Sequence, residues 1–425
     1  MGKHHSEVVA QLGLQSLQRV SGGCAEVVAR RRDLTPEEFR NEYMWPNKPV
    51  IVELGLCQDW GCVMWNRSDG APNVTYLREA YGESPVPVVL QHGEGHEERV
   101  VTKLQSFLDY WEARSAGQEG ACIPGVSPCR TAYLKDWHFH RQFPDDNAYC
   151  VPNLFADDWL NEWCDGCAGD DYRFVYMGPK GSFTPLHQDV LCSFSWSLNV
   201  TGSKLWLLYP PSQTHLLMNR FGSPPTDVRY VDAAEFPNFA SAVALRAIQL
   251  SGEVIFVPSG WYHQVENLDE TISINHNWFN AANIDLVAES LLGDYHRIVE
   301  NLEDCRTMEG FELQCQRILQ ANNGTTLPEL YSLLSKLAVS HSADLDRLDA
   351  ASHSAAEQIQ LMLSASKLLD ALQTLVETSC VQCFLEHGPS LDENMQQPTC
   401  RGTPLSQTSA VGSLSHSTDR LTAVG

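Results

Sequence analysis

Short runs of β-branched and aromatic residues recur through the middle of the chain, and turn-forming residues separate most of them. The runs cover residues 172–177, 184–190, 194–200, 204–209, 253–258, 261–266 and 271–278. The separating turns include Gly178-Pro179, Thr201-Gly202-Ser203 and Ser259-Gly260. Short strands at regular spacing with turns between them predict a sandwich or barrel, and these runs fit a jelly roll.

Helical and extended patterns alternate ahead of these runs. Thr35 is a favourable N-cap and Pro36 suits the first helical position, so a helix is predicted to begin there. The apolar spacing predicts further helices over residues 74–81 and 103–113 and strands over residues 48–54, 86–90 and 131–137. A region of mixed helices and strands is therefore predicted to support the jelly roll.

The pattern becomes helical after residue 283, and from about residue 389 Ser, Thr, Gly and Gln dominate, as is typical of disorder. The predicted fold class is α+β: a double-stranded β-helix (jelly roll, cupin-like) core with N-terminal α/β elements and a C-terminal helical extension. Homo-oligomers could form through the C-terminal helices. We expect four segments, namely supporting helices and strands, the jelly-roll domain, a helical region and a tail, over residues 1–130, 131–283, 284–388 and 389–425.

Acidic residues outnumber basic ones by 53 to 29, which gives a formal net charge of −24 over 425 residues. Such a surface repels nucleic-acid phosphates and anionic lipid headgroups, so a basic protein segment is the more natural partner. No apolar stretch is long enough to predict a membrane span, and the N-terminus lacks the apolar run of a signal peptide. The 14 cysteines are therefore expected to be reduced and the protein to be cytoplasmic, with a nuclear presence left open.

One run contains His187-Gln188-Asp189. Because alternate residues of a strand point to the same side, His187 and Asp189 can present an imidazole and a carboxylate to one point. On its own such a pair is more often structural than metal-binding. His263, after a predicted strand and a Pro-Ser-Gly turn, offers a second imidazole. Two histidines and one carboxylate, with the other coordination positions open, form the ligand set of non-haem Fe(II) oxygenases.

Small polar side chains are predicted to line one face of the barrel. Alternation groups Ser195 with Ser197 and Asn199 on one strand, and Thr271 with Ser273, Asn275 and Asn277 on another. Such a lining leaves room for a polar ligand, whereas an inert jelly roll would fill these positions with large apolar residues.

Lys204 shares a strand face with Trp206 and Leu208. A buried ammonium is costly unless an anion pairs with it, and a ligand carboxylate could supply that anion. The alternative is a lysine on the outer, solvated face of the strand.

Four segments together resemble the Jumonji-C family of Fe(II)- and 2-oxoglutarate-dependent oxygenases. They are YRFVYMGP at 172–179, HQD at 187–189, GSKLW at 202–206 and VPSGWYHQVENL at 257–268. The resemblance extends over residues 48–279 and is specific, because the spacing, the Gly-x-Lys-x-Trp motif and the Pro-x-Gly-Trp-x-His motif agree.

The resemblance implies a site for each co-substrate. The implied Fe(II) ligands are His187, Asp189 and His263. Lys204 would pair with the distal carboxylate of 2-oxoglutarate, and O₂ would be the second co-substrate. The remaining implied 2-oxoglutarate contacts are Tyr133, Thr184, Ser197 and Asn275. Strict alternation would place Thr184 on the face opposite His187 unless Pro185 kinks the strand.

The resemblance also implies a substrate: its subgroup hydroxylates C4 of a lysine in a eukaryotic translation termination (release) factor. Two alternatives stay open. A histone N-methyl-lysine demethylase would use the same iron chemistry, but the sequence has neither a separate reader domain nor a basic nucleic-acid-binding stretch. A jelly-roll binding module without catalysis would not require the intact His, Asp, His and Lys set, since each could be replaced without harming the fold.

Overall fold

Extended segments dominate the first two thirds of the chain in the computed structural model, which describes residues 23–93, 96–118, 120–166, 171–347 and 355–387. The strands are β1 Gly23–Val27, β2 Ala29–Arg31, β3 Val50–Glu53, β4 Pro85–Gly93, β5 His96–Lys103, β6 Thr131–Trp137, β7 Arg173–Gly178, β8 Phe183–His187, β9 Phe194–Thr201, β10 Lys204–Tyr209, β11 Val243–Gln249, β12 Glu253–Val257, β13 Tyr262–Asn267 and β14 Thr271–Trp278.

Helices lie between some of the strands in the sequence and form most of the described part of the C-terminal third. They are α1 Pro36–Phe39, α2 Val74–Tyr81, α3 Leu104–Ser115, α4 Phe139–Gln142, α5 Trp159–Asp165, α6 Thr214–Leu217, α7 Ile284–Asn301, α8 Phe311–Asn323, α9 Leu327–Asp346, α10 Ala355–Val376 and α11 Ser379–His387. Among the described helices, none has both the length and the apolar character that crossing a membrane requires. A capping box of Thr35 and Glu38 starts α1 at the predicted position.

The described strands form two sheets. The five-stranded sheet has the order β1-β11-β10-β13-β8, and the nine-stranded sheet has the order β2-β3-β12-β9-β14-β7-β6-β4-β5. Most neighbours in each sheet are distant in sequence, and β10 pairs antiparallel with both β11 and β13. This arrangement confirms the predicted jelly-roll core, and the N-terminal strands β1–β5 extend the same two sheets.

The elements belong to two compact units. The first holds both sheets and consists of the described residues up to Ala156 together with Tyr172–Asp189 and Phe194–Asn277. The second is helical and consists of the described residues within Asp157–Asp171 and Val190–Ser193 and from Trp278 onward. The predicted C-terminal helical extension is thus confirmed, whereas the predicted tail over residues 389–425 lies outside the described residues.

Alternation along β10 explains how the five-stranded sheet is buried on both faces. Trp206 and Leu208 pack in a cluster with residues of β12 in the other sheet, such as Ile255. Leu205 and Leu207 pack on the opposite face with residues of the segment that follows β10. The long segment between β10 and β11 therefore covers the outer face of the sheet.

Two details of the predicted strand pattern are wrong. The run predicted to extend to residue 190 ends as a strand at His187, so Asp189 lies just beyond the strand rather than two positions along it. A further strand, β11, lies between β10 and β12 where no run was predicted, and it pairs with β1 and β10. Neither feature is visible in local periodicity, because both depend on partners distant in the sequence.

The turn between β9 and β10 requires glycine for two reasons. Gly202 has a φ of +76°, and a Cβ at this position would lie 2.4 Å from the backbone oxygen of Glu270. Gly181 has a similar φ of +83° but open space around its missing Cβ.

We expect Gly181→Ala to lower the free energy of unfolding by about 1–2 kcal/mol for backbone strain alone. Gly202→Ala adds the backbone clash and should cost about 1–3 kcal/mol more. Urea unfolding of both variants checks the order, and equal losses would contradict it.

Candidate active site

The structure brings His187, Asp189 and His263 together on the inner side of the barrel. Their ligand atoms lie within 4.8 Å of one another, in the one such metal-compatible group of His, Cys and acidic side chains found among the described residues. His187 ends β8 and is paired in register with His263 on the neighbouring strand β13. The two rings are 4.2 Å apart at their centroids, and His187 Nε2 lies 3.9 Å from Asp189 Oδ1.

Backbone carbonyl groups fix the tautomer of both imidazoles. His187 Nδ1 lies 2.8 Å from the carbonyl oxygen of Pro185, and His263 Nδ1 lies 3.2 Å from that of Trp261. A carbonyl oxygen only accepts hydrogen bonds, so each Nδ1 must carry the proton and donate it. The Nε2 atoms are then left with the lone pairs that a metal ion needs.

The electrostatic surroundings keep these groups in the protonation states of metal ligands. Burial, followed by the field of His263, lowers the pKa of His187 to about 3, so the ring is neutral at physiological pH. Burial alone would raise the pKa of Asp189. The fields of His263 and His187 and hydrogen bonds from Ser195 and Asn277 outweigh burial and lower that pKa, so the carboxylate is ionised.

Ser195 orients the carboxylate of Asp189. Its hydroxyl donates to Asp189 Oδ2 at 2.6 Å, which holds a side chain that lies beyond the end of its strand. We expect Ser195→Ala to weaken Mn(II) binding by about tenfold, because hydrogen bonds behind a metal ligand commonly contribute a factor of 10–100. Ser251→Ala is the matched control, since Ser251 donates to the carbonyl of Val200 instead. Calorimetric titration with Mn(II) makes the comparison, and equal affinities of both variants would contradict this role.

Lys204 lies inside the barrel and not on its outer face. Lys204 is the first residue of β10 and is only 2% exposed. Its Nζ donates a hydrogen bond to the hydroxyl of Ser273 at 2.5 Å. Nζ also lies 5.9 Å from the ring centroid of Tyr176. Burial first, and then the charge of Lys135, lowers the pKa of Lys204 to about 7. Because burial disfavours the charged form of Lys204, any anion that enters the barrel beside it stabilises the cation.

A β-bulge in β8 determines which face of the strand carries Thr184. On β13 the partners His263 and Val265 are two residues apart, whereas their partners on β8, His187 and Thr184, are three apart. One extra residue on β8 therefore breaks strict alternation and places buried Thr184 on the same face as His187. Strand β8 therefore has the local kink that Thr184 needs in order to lie on the same face as His187.

The remaining predicted contacts are buried polar groups on the nine-stranded sheet. Burial raises the pKa of Tyr133, so its hydroxyl keeps its proton. Gly178 makes room for this ring, because a Cβ there would lie 2.5 Å from it. The Ser197 hydroxyl is buried and has no hydrogen-bond partner among the described residues. Asn275 donates to the hydroxyl of Ser273 at 3.0 Å.

Sequence reasoning did not single out several residues of this site. Ser273, which joins Lys204 to Asn275, and the Asp189 partners Ser195 and Asn277 were predicted only as part of a polar lining. Alternation along β9 and β14 was the signal that could have assigned them. Tyr176 carries no such signal, because its role depends on the packing of β7 beside β6.

Comparison with known proteins agrees with this geometry. A cupin-like domain family matches residues 36–284 of the chain. The 2-oxoglutarate and iron-dependent oxygenase JMJD4 of Danio rerio is 40% identical over 317 residues, which cover 72% of this chain and 73% of that protein. The protein of the same name from Homo sapiens is 38% identical over 312 residues, with coverages of 71% and 73%.

A relative with a different name matches over a similar length. The arginine-specific demethylase JMJ20 of Arabidopsis thaliana is 38% identical over 329 residues, which cover 72% of this chain and 69% of that protein. The extent of these matches confirms the resemblance drawn from the motifs. The chain belongs to the cupin-like Jumonji-C family, together with the 2-oxoglutarate and iron-dependent oxygenases named JMJD4.

Proposed function

We propose that this chain is an Fe(II)- and 2-oxoglutarate-dependent oxygenase that hydroxylates C4 of a lysine in a translation release factor. The oxygenase part is carried by one observation, the grouping of His187, Asp189 and His263 in a barrel that also buries the cation of Lys204. The relatives named as 2-oxoglutarate and iron-dependent oxygenases support it.

The donor set fits Fe(II). Two neutral imidazole nitrogens and one carboxylate oxygen, all on one side of a point, form the facial set of non-haem iron and leave the other coordination positions open. The carbonyls of Pro185 and Trp261 hold the two rings in the tautomer that binding requires. When bound, Fe(II) with 2-oxoglutarate and O₂ supplies the oxidising power that inserts one oxygen atom into a C–H bond, with succinate and CO₂ as the other products.

The polar lining fits 2-oxoglutarate. Lys204 is the cation for the carboxylate distant from the metal ligands, and a charged pair in a buried site is among the stronger polar contacts available. Hydroxyl and amide groups complete the recognition of the ligand, and they are those of Tyr133, Thr184, Ser197 and Asn275. The Ser197 hydroxyl, which lacks a partner among the described residues, is suited to donate to a bound carboxylate.

A large aromatic side chain packs against one of the metal ligands. Trp206 stacks on His263 with ring centroids 5.7 Å apart and an angle of 30°. Its indole N–H donates to Gln249 at 2.9 Å, so the large ring is anchored at its far edge. A rigid apolar wall of this kind limits access of bulk water to the reacting atoms.

Lysine as the hydroxylated residue rests on the resemblance and on charge. A net charge of −24 favours encounter with a basic protein segment. A second candidate is removal of a methyl group from an N-methylated arginine, because two matching relatives of Arabidopsis thaliana are named arginine-specific demethylases. Both activities begin with oxygen insertion into a C–H bond and differ in whether the oxidised carbon stays on the protein.

Mass spectrometry separates these activities. The purified chain is incubated with Fe(II), 2-oxoglutarate and either a release factor or a protein carrying methylated arginine and lysine. A gain of one oxygen on a lysine, lost in the Asp189→Ala variant, is the expected result. Loss of a methyl group with release of formaldehyde would replace the hydroxylase with the demethylase. No 2-oxoglutarate turnover with any substrate would favour a binding module.

A further inference from the structure

Lys135 is a second buried cation on the inner side of the barrel, and the proposed function leaves it without a role. It is 7% exposed, and its ammonium makes no hydrogen bond or ion pair with any residue that the structure describes. Its Nζ lies 5.8 Å from the ring centroid of Tyr176, the ring that Lys204 Nζ borders at 5.9 Å. A buried ammonium without an anionic partner is costly, which indicates that the partner is a ligand.

The backbone around Lys135 is irregular. Leu134 is paired with Met177, but Trp137 is paired with Val175, so β6 holds one more residue than β7 over this stretch. The bulge contains Asp136, whose φ of +61° is unfavourable for a residue with a side chain. Bulges and strained residues of this kind are frequent next to active sites, where they redirect side chains.

The carboxylate that most favours the Lys135 cation, that of Asp136, is occupied by other donors. Asp136 accepts from the hydroxyl of Tyr176 at 2.8 Å through Oδ1 and from Arg99 at 2.7 Å through Oδ2. Glu97 accepts from the side chain of Gln91. Neither carboxylate therefore forms an ion pair with Lys135, although both favour its charge at longer range.

The charge of Lys135 affects two groups of the candidate site. After burial and the field of His263, the charge of Lys135 contributes to the lowered pKa of His187, and after burial it also lowers the pKa of Lys204. The positive charge of Lys135 therefore acts on both His187 and Lys204.

We propose that the Lys135 ammonium is a second cationic contact for the anionic co-substrate, at the 2-oxo acid end that lies beside His187 and Asp189. This inference rests on the proposed function, since it needs a 2-oxo dicarboxylate that spans from the metal ligands to Lys204. Lys204 then neutralises one carboxylate and Lys135 the other.

Calorimetric titration of the Mn(II)-loaded protein tests this assignment with two probes. 2-Oxoglutarate has both carboxylates, whereas 2-oxobutyrate keeps the 2-oxo acid and lacks the second one. We expect Lys135→Met to weaken binding of both probes on the order of ten- to a hundredfold, and Lys204→Met to weaken only 2-oxoglutarate by such a factor. Lys135→Arg, which keeps the charge, should retain part of the affinity. Lys103→Met is the matched control, because exposed Lys103 pairs with Glu83.

The outcomes are distinguishable. Unchanged binding of 2-oxobutyrate to Lys135→Met overturns the assignment, as does a loss confined to 2-oxoglutarate, which would place Lys135 beside Lys204. Mn(II) affinity is measured first, because a structural role would lower it together with ligand affinity. If Lys135→Met loses Mn(II) binding, Lys135→Gln is judged by the same criteria. Failure of the wild-type protein to bind 2-oxoglutarate at all would refute the proposed function instead.

Discussion

The His187→Ala variant is expected to lose metal binding and all 2-oxoglutarate turnover. His187 is one of the three side chains that form the metal-compatible group among the described residues. Its Nδ1 contacts the carbonyl oxygen of Pro185, which leaves the lone pair of Nε2 free to bind the metal. Groups that merely orient a metal ligand contribute about 10–100-fold to affinity, so removing the ligand itself should cost at least about 100-fold. Mn(II) titration and succinate formation measure the two losses.

His215→Ala is the matched control for this prediction, because it removes an exposed histidine of α6 from the same unit. That variant should bind Mn(II) and consume 2-oxoglutarate like the wild-type protein. Retention of full metal affinity by His187→Ala would contradict the assignment of the ligand set. A parallel loss in both variants would point to general destabilisation.

The affinity for 2-oxoglutarate should fall as the pH rises above about 7. Burial lowers the pKa of Lys204 to about 7 in the ligand-free protein, so the side chain is charged below this pH and neutral above it. Pairing with a carboxylate favours the charged form and raises the pKa in the complex. Binding above pH 7 must therefore include uptake of a proton, and the affinity should fall by about tenfold per pH unit until the pKa of the complex is reached.

Calorimetry in buffers of different ionisation enthalpy measures this proton uptake directly. The Lys204→Met variant should bind 2-oxoglutarate roughly 30-fold or more weakly, because one partner of a buried charged pair is removed. Its remaining affinity should show no proton uptake linked to Lys204. Wild-type affinity that stays constant from pH 6 to pH 9 would contradict the role of this lysine.

Much of the site was predictable from periodicity, because side chains alternate strictly between the two faces of a regular strand. The register of β10 places Lys204, Trp206 and Leu208 on one face, as alternation predicted, and the polar faces of β9 and β14 follow the same rule. The spacing of the motifs then indicated the metal ligands His187, Asp189 and His263. Periodicity alone grouped only His187 with Asp189, which is a weak indication of a metal site. The jelly-roll core followed from the regular spacing of short runs and turns.

The rest of the site depends on departures from regularity that only strand pairing creates. Thr184 reaches the inner face through a bulge that appears only against β13. Lys135 and Asp136 owe their positions to a second bulge against β7 and to a positive φ. Local propensity does not specify such features, since the extra residue has meaning only relative to a partner strand.

One measurement tests the central claim most directly: titration of 2-oxoglutarate into the purified chain with and without Mn(II). The ligand set and the buried lysine predict one molecule bound per chain in the presence of the metal. They also predict strongly reduced binding without the metal, in His187→Ala and in Lys204→Met. Binding that is independent of the metal and of both residues, or no binding at all, would contradict the account.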